Sequence, residues 1–388
     1  MWNRLKAILI DFIQQADLVL LALCSIATLY GLVLVFSATQ YMDTGTRRMM
    51  IQSISFLMGI VVYIFFSMLD LEQIMRKWKW VLAFNIVFIL LLKTPLGFGE
   101  AETGNNAWLK FPFLPFNISP AEVVKVSFTL LLAQQLAWLW EEKNDLKSFR
   151  SALFVAGHTF GLVGLYCFAS GDMGNALVFV FIFLCMAFVA GFALRWFLLL
   201  FSGGAAGMFL AWELNLIPNY MRERFIVLFD HSYKPLHVGW QQTRSMLAIG
   251  SGGLFGKGYM NGTQTQSGSQ SLPAKQTDLI FAVAGEELGL VGCALIMLLL
   301  FLVILRVLIV ARQARTPFYR YVCVGIASIL IFQTVINIGM CLFVMPTIGI
   351  TLPFFSYGGS SLMTLYMAMG VVSGIKKRSV DVRLTGRP

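Results

Sequence analysis

Charge is what this sequence has least of. Asp, Glu, Lys and Arg make up 12% of its 388 residues, where a soluble domain carries about a quarter. That is too little to clothe a water-facing surface. Histidine is scarcer, at three residues, and no cluster of His, Asp and Glu has the spacing of a metal site. The six cysteines (Cys24, Cys167, Cys185, Cys293, Cys323 and Cys341) all fall in apolar runs, with no Cys-x-x-Cys pair. They read as small buried hydrophobes, not as disulfides or metal ligands. No internal repeat stands out, and the matched halves typical of transporters are missing. The first apolar run is long and lacks a small-residue cleavage site, so it is expected to remain as a helix.

What is present is apolar: 58% of residues are hydrophobic and mean hydropathy is +0.77. Runs of about 20 apolar residues recur along the chain, the length a membrane-crossing helix needs. The fold class is therefore all-α: a polytopic membrane protein with about ten transmembrane helices. Spans are expected near 17–39, 50–68, 79–95, 118–140, 151–170, 175–194, 196–216, 279–305, 319–344 and 357–375. A single membrane domain covers 1–388. It has a large extracellular loop at about 217–278, between helices 7 and 8, and a tail at about 376–388.

The net charge of +10 reads as positive-inside topology, not as nucleic-acid binding, because the basic residues gather in short loops. Arg4 and Lys6; Arg76, Lys77 and Lys79; Lys143, Lys147 and Arg150; Arg195; Arg306, Arg312, Arg315 and Arg320; and Lys376, Lys377, Arg378, Arg383 and Arg387 share one face. That face is expected to be cytoplasmic, with both termini on it. Lys234 and five other basic residues lie in the long outer loop, which weighs little in the charge rule.

The sharpest feature is the stretch from Leu272 to Gly289, where that polar loop gives way to an apolar helix. Asp278 sits at the junction. It suits a general base, and it equally suits a helix cap. Glu286 and Glu287 follow inside the expected span, where an acid costs ~2.5–3.5 kcal/mol and needs a partner or a wet cavity. Upstream, Gly250 to Gly258 invites a phosphate-loop reading but fails the Walker pattern, since Ser251 and Gly258 occupy its first Gly and its Ser/Thr positions. Its N–H groups and Lys257 suit a lipid-linked pyrophosphate. Glycines for tight turns explain it equally well. Glu122 and Lys125 lie at i,i+3 behind Pro120, either a self-neutralising pair or an anion contact. Asp172 opens the sixth span as a cap or a site acid. His158 reads as an interhelical contact. The apolar, proline-punctuated Met345–Ser361 stretch suits a re-entrant turn, and Gly358 to Ser361 allow close helix packing.

In order along the chain stand Pro120-Ala121-Glu122 with Lys125, Asp172-Met173-Gly174, Ala248-Ile249-Gly250-Ser251-Gly252-Gly253, Thr277-Asp278, Glu286-Glu287-Leu288-Gly289, Asn337-Ile338-Gly339-Met340 and Leu352-Pro353-Phe354-Phe355-Ser356-Tyr357-Gly358-Gly359-Ser360-Ser361. This pattern resembles the SEDS family (shape, elongation, division and sporulation), the group of RodA, FtsW and SpoVE. The resemblance covers nearly the whole chain, and Gly256 to Gln264 look more like the RodA branch. It implies a peptidoglycan glycosyltransferase that polymerises lipid II on the outer face of the bacterial cytoplasmic membrane. A class B penicillin-binding protein, a transpeptidase, would be its partner.

The resemblance makes Asp278 the catalytic residue. Glu122, Lys125, Arg244, Lys257, Lys275, Asp172, Ser356 and Ser360 are expected at the substrate. Glu286, Glu287, Trp108, Pro353, Gly358 and Gly359 are expected to support the site. The family pattern is departed from at Ala107, Ser119, Ala274 and Gln276, where Arg, Gln, Glu and His are usual. The expected reaction is inverting transfer with one carboxylate as base, which suffices when pyrophosphate leaves. A divalent cation, Mg or Mn, is left open for the pyrophosphate charge, though the sequence offers it no dedicated cage. Two other readings stay open: a flippase for the lipid-linked precursor, and a scaffold that only positions the transpeptidase.

Overall fold

The computed structural model describes residues 16–99, 105–112, 116–143, 146–231, 233, 239–267 and 271–385. Arg4, Lys6, Lys234 and Arg387, named above for topology or for the loop, lie outside them, as does the side chain of Arg383.

Each expected span coincides with a helix. In chain order these are α1 (Leu18–Thr39), α2 (Gly45–Met68), the short α3 (Leu71–Arg76), α4 (Trp78–Leu90), α5 (Pro120–Trp138), α6 (Phe149–Ser170), α7 (Met173–Ala190) and α8 (Leu194–Glu213). The loop helices α9 (Asn219–Phe229), α10 (Trp240–Gly252) and α11 (Thr263–Gln266) follow, then α12 (Ile280–Gln313), α13 (Pro317–Cys341) and α14 (Gly359–Thr385). Eight of them are long and apolar enough to cross a membrane, which makes this a multi-pass membrane protein. The expected spans outside those eight correspond to α4, whose regular helix covers 13 residues, and α14.

Local chemistry sets the helix starts. Asp17 accepts Leu20 N–H at 3.3 Å, Asp172 accepts Asn175 N–H at 3.2 Å, and Pro120 and Pro317 open α5 and α13. No residue of α8 is fully buried; it leans on the bundle through the half-buried Trp196, Phe197 and Leu200 and leaves most of its apolar surface exposed. α14 packs closely on α2: a Cβ at Gly59 would stand 2.9 Å from the Tyr366 ring, and one at Gly370 would stand 2.5 Å from Tyr63 O. The tail expected from 376 is instead a continuation of α14 to Thr385. Lys376 is drawn into that helix because it joins Arg306 on Asp17, at 3.2 and 2.9 Å, and Asp17 is fully buried. That pairing ties α1, α12 and α14 at one end of the bundle.

At the other end α12 is broken. Gly289 adopts φ 69°, ψ −160°, which an L side chain resists. The break frees backbone groups, and the glycine-rich turn after α10 satisfies them. Leu290 and Val291 N–H donate to Gly253 and Leu254 carbonyls at 2.9 and 3.2 Å, while Lys257 and Gly258 N–H donate to Glu286 and Glu287 carbonyls at 2.9 and 3.1 Å. Glu286 and Glu287 therefore do not sit in the continuous apolar run; they precede the break, under the long loop between α8 and α12.

Candidate active site

The segment between α11 and α12 carries Asp278. It turns at Ala274, whose φ of 48° is unusual for a non-glycine residue, and whose carbonyl collects Thr277 and Leu279 N–H at 3.0 and 3.2 Å. Beneath it the Leu352–Ser356 turn is buried, with Pro353 in its interior and Phe354 at φ 67°. Backbone strain of this kind persists where surrounding contacts over-determine it. Gln52 of α2 holds the turn from outside, donating to Ser356 O at 3.2 Å and accepting Gly358 N–H at 3.0 Å.

The Asp278 carboxyl is half-buried, and among the described residues no Lys or Arg forms an ion pair with it. Burial pushes its pKa up to about 6; the Thr277 hydroxyl holds it down somewhat and the Asp172 charge pushes it up.

Asp172 belongs to a second group facing it. Its carboxylate accepts Asn175 Nδ2 at 2.8 Å and Tyr166 OH at 3.2 Å. Asn175 Oδ1 in turn accepts from Lys125 Nζ at 3.2 Å, and Lys125 is paired with Glu122 at 2.7 Å. This chain of contacts makes Asp172 a helix cap that is also linked, through Asn175, to the Lys125–Glu122 pair. The Glu122–Lys125 pair heads a narrow cleft of about 10 Å³, room for roughly one water, between α5, α13 and α14, lined beyond the pair mainly by apolar residues such as Ile326, Leu330 and Met369. Trp108 helps fix this arrangement. It lies on β2 (Trp108–Leu109), which pairs with β1 (Gly97–Phe98), and Leu109 bridges Ile118 just before α5.

Several expected substrate contacts are committed elsewhere. The glycine-rich turn cannot cradle a phosphate, because the N–H groups of Gly256, Lys257 and Gly258 are spent on protein carbonyls. A Cβ at Gly256 would stand 2.1 Å from Glu287 O and one at Gly252 would stand 1.9 Å from Gly285 O, so these glycines serve close packing. Lys257 is paired with the fully buried Glu286 at 3.1 Å. Lys275 is buried and bonded to Thr265 O; burial lowers its pKa against the pull of Glu287 and Glu286. Glu286 also accepts Gln264 and Thr265 N–H, each at 2.7 Å, and the hydroxyls of Thr265 and Thr263 at 2.8 and 3.1 Å. Glu287 accepts Ser37 Oγ at 2.6 Å and Gln266 Nε2 at 2.6 Å. Both acids are thus answered by the loop itself. Ser356 Oγ bridges Leu352 N–H and Thr277 O, and Ser360 Oγ accepts Ser119 N–H at 3.1 Å; both hydroxyls support backbone. Gly359 lies against α2, where a Cβ would meet Ser55 Oγ at 2.8 Å.

Arg244 remains available, stacked over Trp240 at 4.1 Å and loosely tied to Gln264 at 3.4 Å. Two more arginines come to this end of the molecule. Arg48 stands 5.9 Å from the Tyr357 ring, and Arg224 donates to Thr347 O at 2.6 Å. Their signal in the sequence was their place in outer segments; nothing there tied them to the Asp278 turn. His158 contacts Gln135 at 3.0 Å between α6 and α5, as an interhelical residue. Among the described residues no group of three or more His, Cys, Asp or Glu side chains is placed to hold a metal ion.

The family model for cell cycle proteins of the FtsW, RodA and SpoVE group matches residues 17–380. The chain belongs to this family. A probable peptidoglycan glycosyltransferase FtsW of Geobacter metallireducens is 31% identical over 383 residues, 97% of each chain. The peptidoglycan glycosyltransferase MrdB of Escherichia coli K12 is 33% identical over 363 residues, covering 92% of this chain and 91% of its own. Among solved structures, a chain from work on "structural coordination of polymerization and crosslinking by a peptidoglycan synthase complex" has a TM-score of 0.75 at 25% identity, covering 94% of this chain and 98% of that one. The rod shape determining protein RodA of Thermus thermophilus shares the fold at TM-score 0.63 and 24% identity, covering 93% and 96%.

Within this FtsW/RodA/SpoVE member, the departures from the family pattern have local places. Ala107 is buried ahead of Trp108, Ser119 is held by Ser360, and Ala274 makes the turn before Asp278. Gln276 gives its carbonyl to Tyr357 N–H at 2.8 Å, while its Oε1 is buried without a hydrogen-bond partner among the described residues.

Proposed function

We propose that this chain is a peptidoglycan glycosyltransferase that polymerises lipid II for cell elongation, at the outer face of the bacterial inner membrane, with both termini cytoplasmic. The relatives' activity supports the class, and the clustering of basic residues in short loops supports the orientation. A class B penicillin-binding protein is the proposed partner, in line with the fold shared with a synthase-complex chain. The observation that carries the reading is Asp278: a carboxyl without a paired cation among the described residues, with its pKa raised to about 6, at a bundle end where Glu122, Glu286 and Glu287 are all answered by protein donors.

At neutral pH such a carboxyl is ionised yet basic enough to accept a proton. In the proposed step Asp278 takes the proton from the acceptor sugar's C4 hydroxyl. That oxygen bonds to the donor's anomeric carbon from the face opposite the pyrophosphate. The carbon–oxygen bond to undecaprenyl pyrophosphate breaks, the leaving group keeps the electron pair, and the anomeric centre inverts. Arg48, Arg224 and Arg244 are the cations proposed to offset developing phosphate charge.

The test is polymerisation of labelled lipid II by the purified chain, alone and with a class B penicillin-binding protein. Asp278→Ala is expected to lower the rate by roughly 10²–10⁴-fold, the usual contribution of a general base. Undiminished chains from that variant would sink the assignment, and lipid scrambling without polymer would favour the flippase. Orientation is checked with a cysteine at exposed Ser267, which is expected to react with an impermeant reagent added outside intact cells. Labelling only after lysis would invert the topology.

A further inference from the structure

The carbonyls of Gln276, Thr277 and Asp278 are each fastened by the same neighbouring layer. Tyr357 N–H donates to the first at 2.8 Å, Ser356 Oγ to the second at 2.6 Å, and Asn337 Nδ2 to the third at 2.8 Å. Asn337, on α13, is fully buried and gives a further hydrogen bond to Ile350 O at 2.7 Å. Its amide nitrogen thus bridges the backbone of Asp278 to the backbone of the 345–356 segment.

The opposite end of that amide shows what the side chain is for. Asn337 Oδ1 is buried with no partner among the described residues. An unpaired buried acceptor costs about 1–3 kcal/mol, so a side chain serving only to fill space here would be apolar. The two hydrogen bonds from Nδ2 offset that cost, and both go to backbone beside the carboxyl. Ile350 adjoins Gly349, where a Cβ would come 3.9 Å from Asp278 Oδ2, and Ile348 O lies so near Gly174 that a Cβ there would stand 2.4 Å away. The segment that Asn337 grips is therefore the spacer between Asp278 and the turn carrying Asp172.

We propose that Asn337 and Ser356 form a backbone clamp that sets where the Asp278 carboxylate points, which makes both of them positioning residues for glycosyl transfer. This rests on the reading of Asp278 as the base. Neither side chain reaches the substrate; each acts through a carbonyl of the segment that carries the acid. A displacement of about 1 Å at a reacting group costs roughly 100-fold in rate, so the clamp's effect appears in turnover and not in substrate affinity.

Asn337→Asp keeps the shape but turns a donor into an acceptor facing two carbonyls. In the lipid II assay its kcat is expected to fall roughly 100-fold with KM within about threefold of the parent. Ser356→Ala is expected to lose about tenfold in kcat, and Ser356→Thr, which restores the hydroxyl, to recover most of it. Parental kcat in Asn337→Asp, or a loss wholly in KM, overturns the clamp. If Asn337→Asp does not accumulate as folded protein, Ser356→Ala decides, and parental kcat there overturns the clamp as well. Asp278→Ala is assayed beside them: its activity would remove the base, whereas an inactive Asp278→Ala with fully active clamp variants would remove only the clamp.

Discussion

Asp278 and Glu286 come from one short stretch of chain, at the end of the same long loop, and are both drawn out of water. Glu286 is enclosed by donors: Lys257, the N–H groups of Gln264 and Thr265, and two threonine hydroxyls. Asp278 has its backbone carbonyl gripped by Asn337, but among the described residues its carboxyl pairs with no cation, and its pKa is raised to about 6. Neutralisation makes the first acid a rivet for the loop. Withholding it leaves the second with proton affinity to spend. Sequence position and residue type barely separate the two; the supply of donors does.

The comparison can be broken from either side. The largest expected effect is on stability at the rivet. Glu286→Gln keeps the shape and removes the charge, leaving Lys257 opposite a neutral amide, and breaking a buried pair costs about 3–5 kcal/mol. The melting temperature in detergent should fall clearly, with activity per folded molecule at low temperature much less affected. An unchanged melting temperature would mean that the loop does not depend on Glu286.

The smaller effect has the opposite sign. Because burial raises the Asp278 pKa from 3.8 to about 6, ionising it costs the folded state. That cost is absent below the unfolded value, grows as pH rises through 6 and is complete above it. Asp278→Asn should therefore be more stable than the parent at pH 7.5 by on the order of 1–2 kcal/mol, a gain that disappears near pH 4. Parental polymerisation should decline as pH drops through about 6, where the base is protonated. A variant less stable than the parent at pH 7.5 would show that the carboxylate is well satisfied after all, and the contrast with Glu286 would vanish.

Much of the fold was legible because long apolar runs have few uses other than crossing a membrane, and each expected span found its helix. The position of Asp278 at a loop–helix junction was legible for the same reason. The fates of the basic residues were not. Lys257 and Lys275 are flanked in sequence by polar loop, which suggests availability, yet Glu286 claims the first and the Thr265 carbonyl the second, through contacts that no spacing rule reveals. Ser356 looked like a substrate contact because it stands in a distinctive motif, and its hydroxyl is instead used on Thr277 O. Conversely, Arg48 and Gln52 carry little local signal, and the Asn337–Met340 motif does not say what Asn337 touches; α2 and α13 bring all three to the Asp278 turn and its neighbouring layer.

The break in α12 at Gly289 also sets a rule of length. Donors on one side of the break belong to Leu290 and Val291, donors on the other to Lys257 and Gly258, and each meets a carbonyl across the joint. One residue added or removed between Gly253 and Gly258 would put the two edges out of step, and no choice of side chain could restore them. Composition can vary here only at the exposed Leu254 and Phe255; the count, like the positive-φ glycines around them, is fixed.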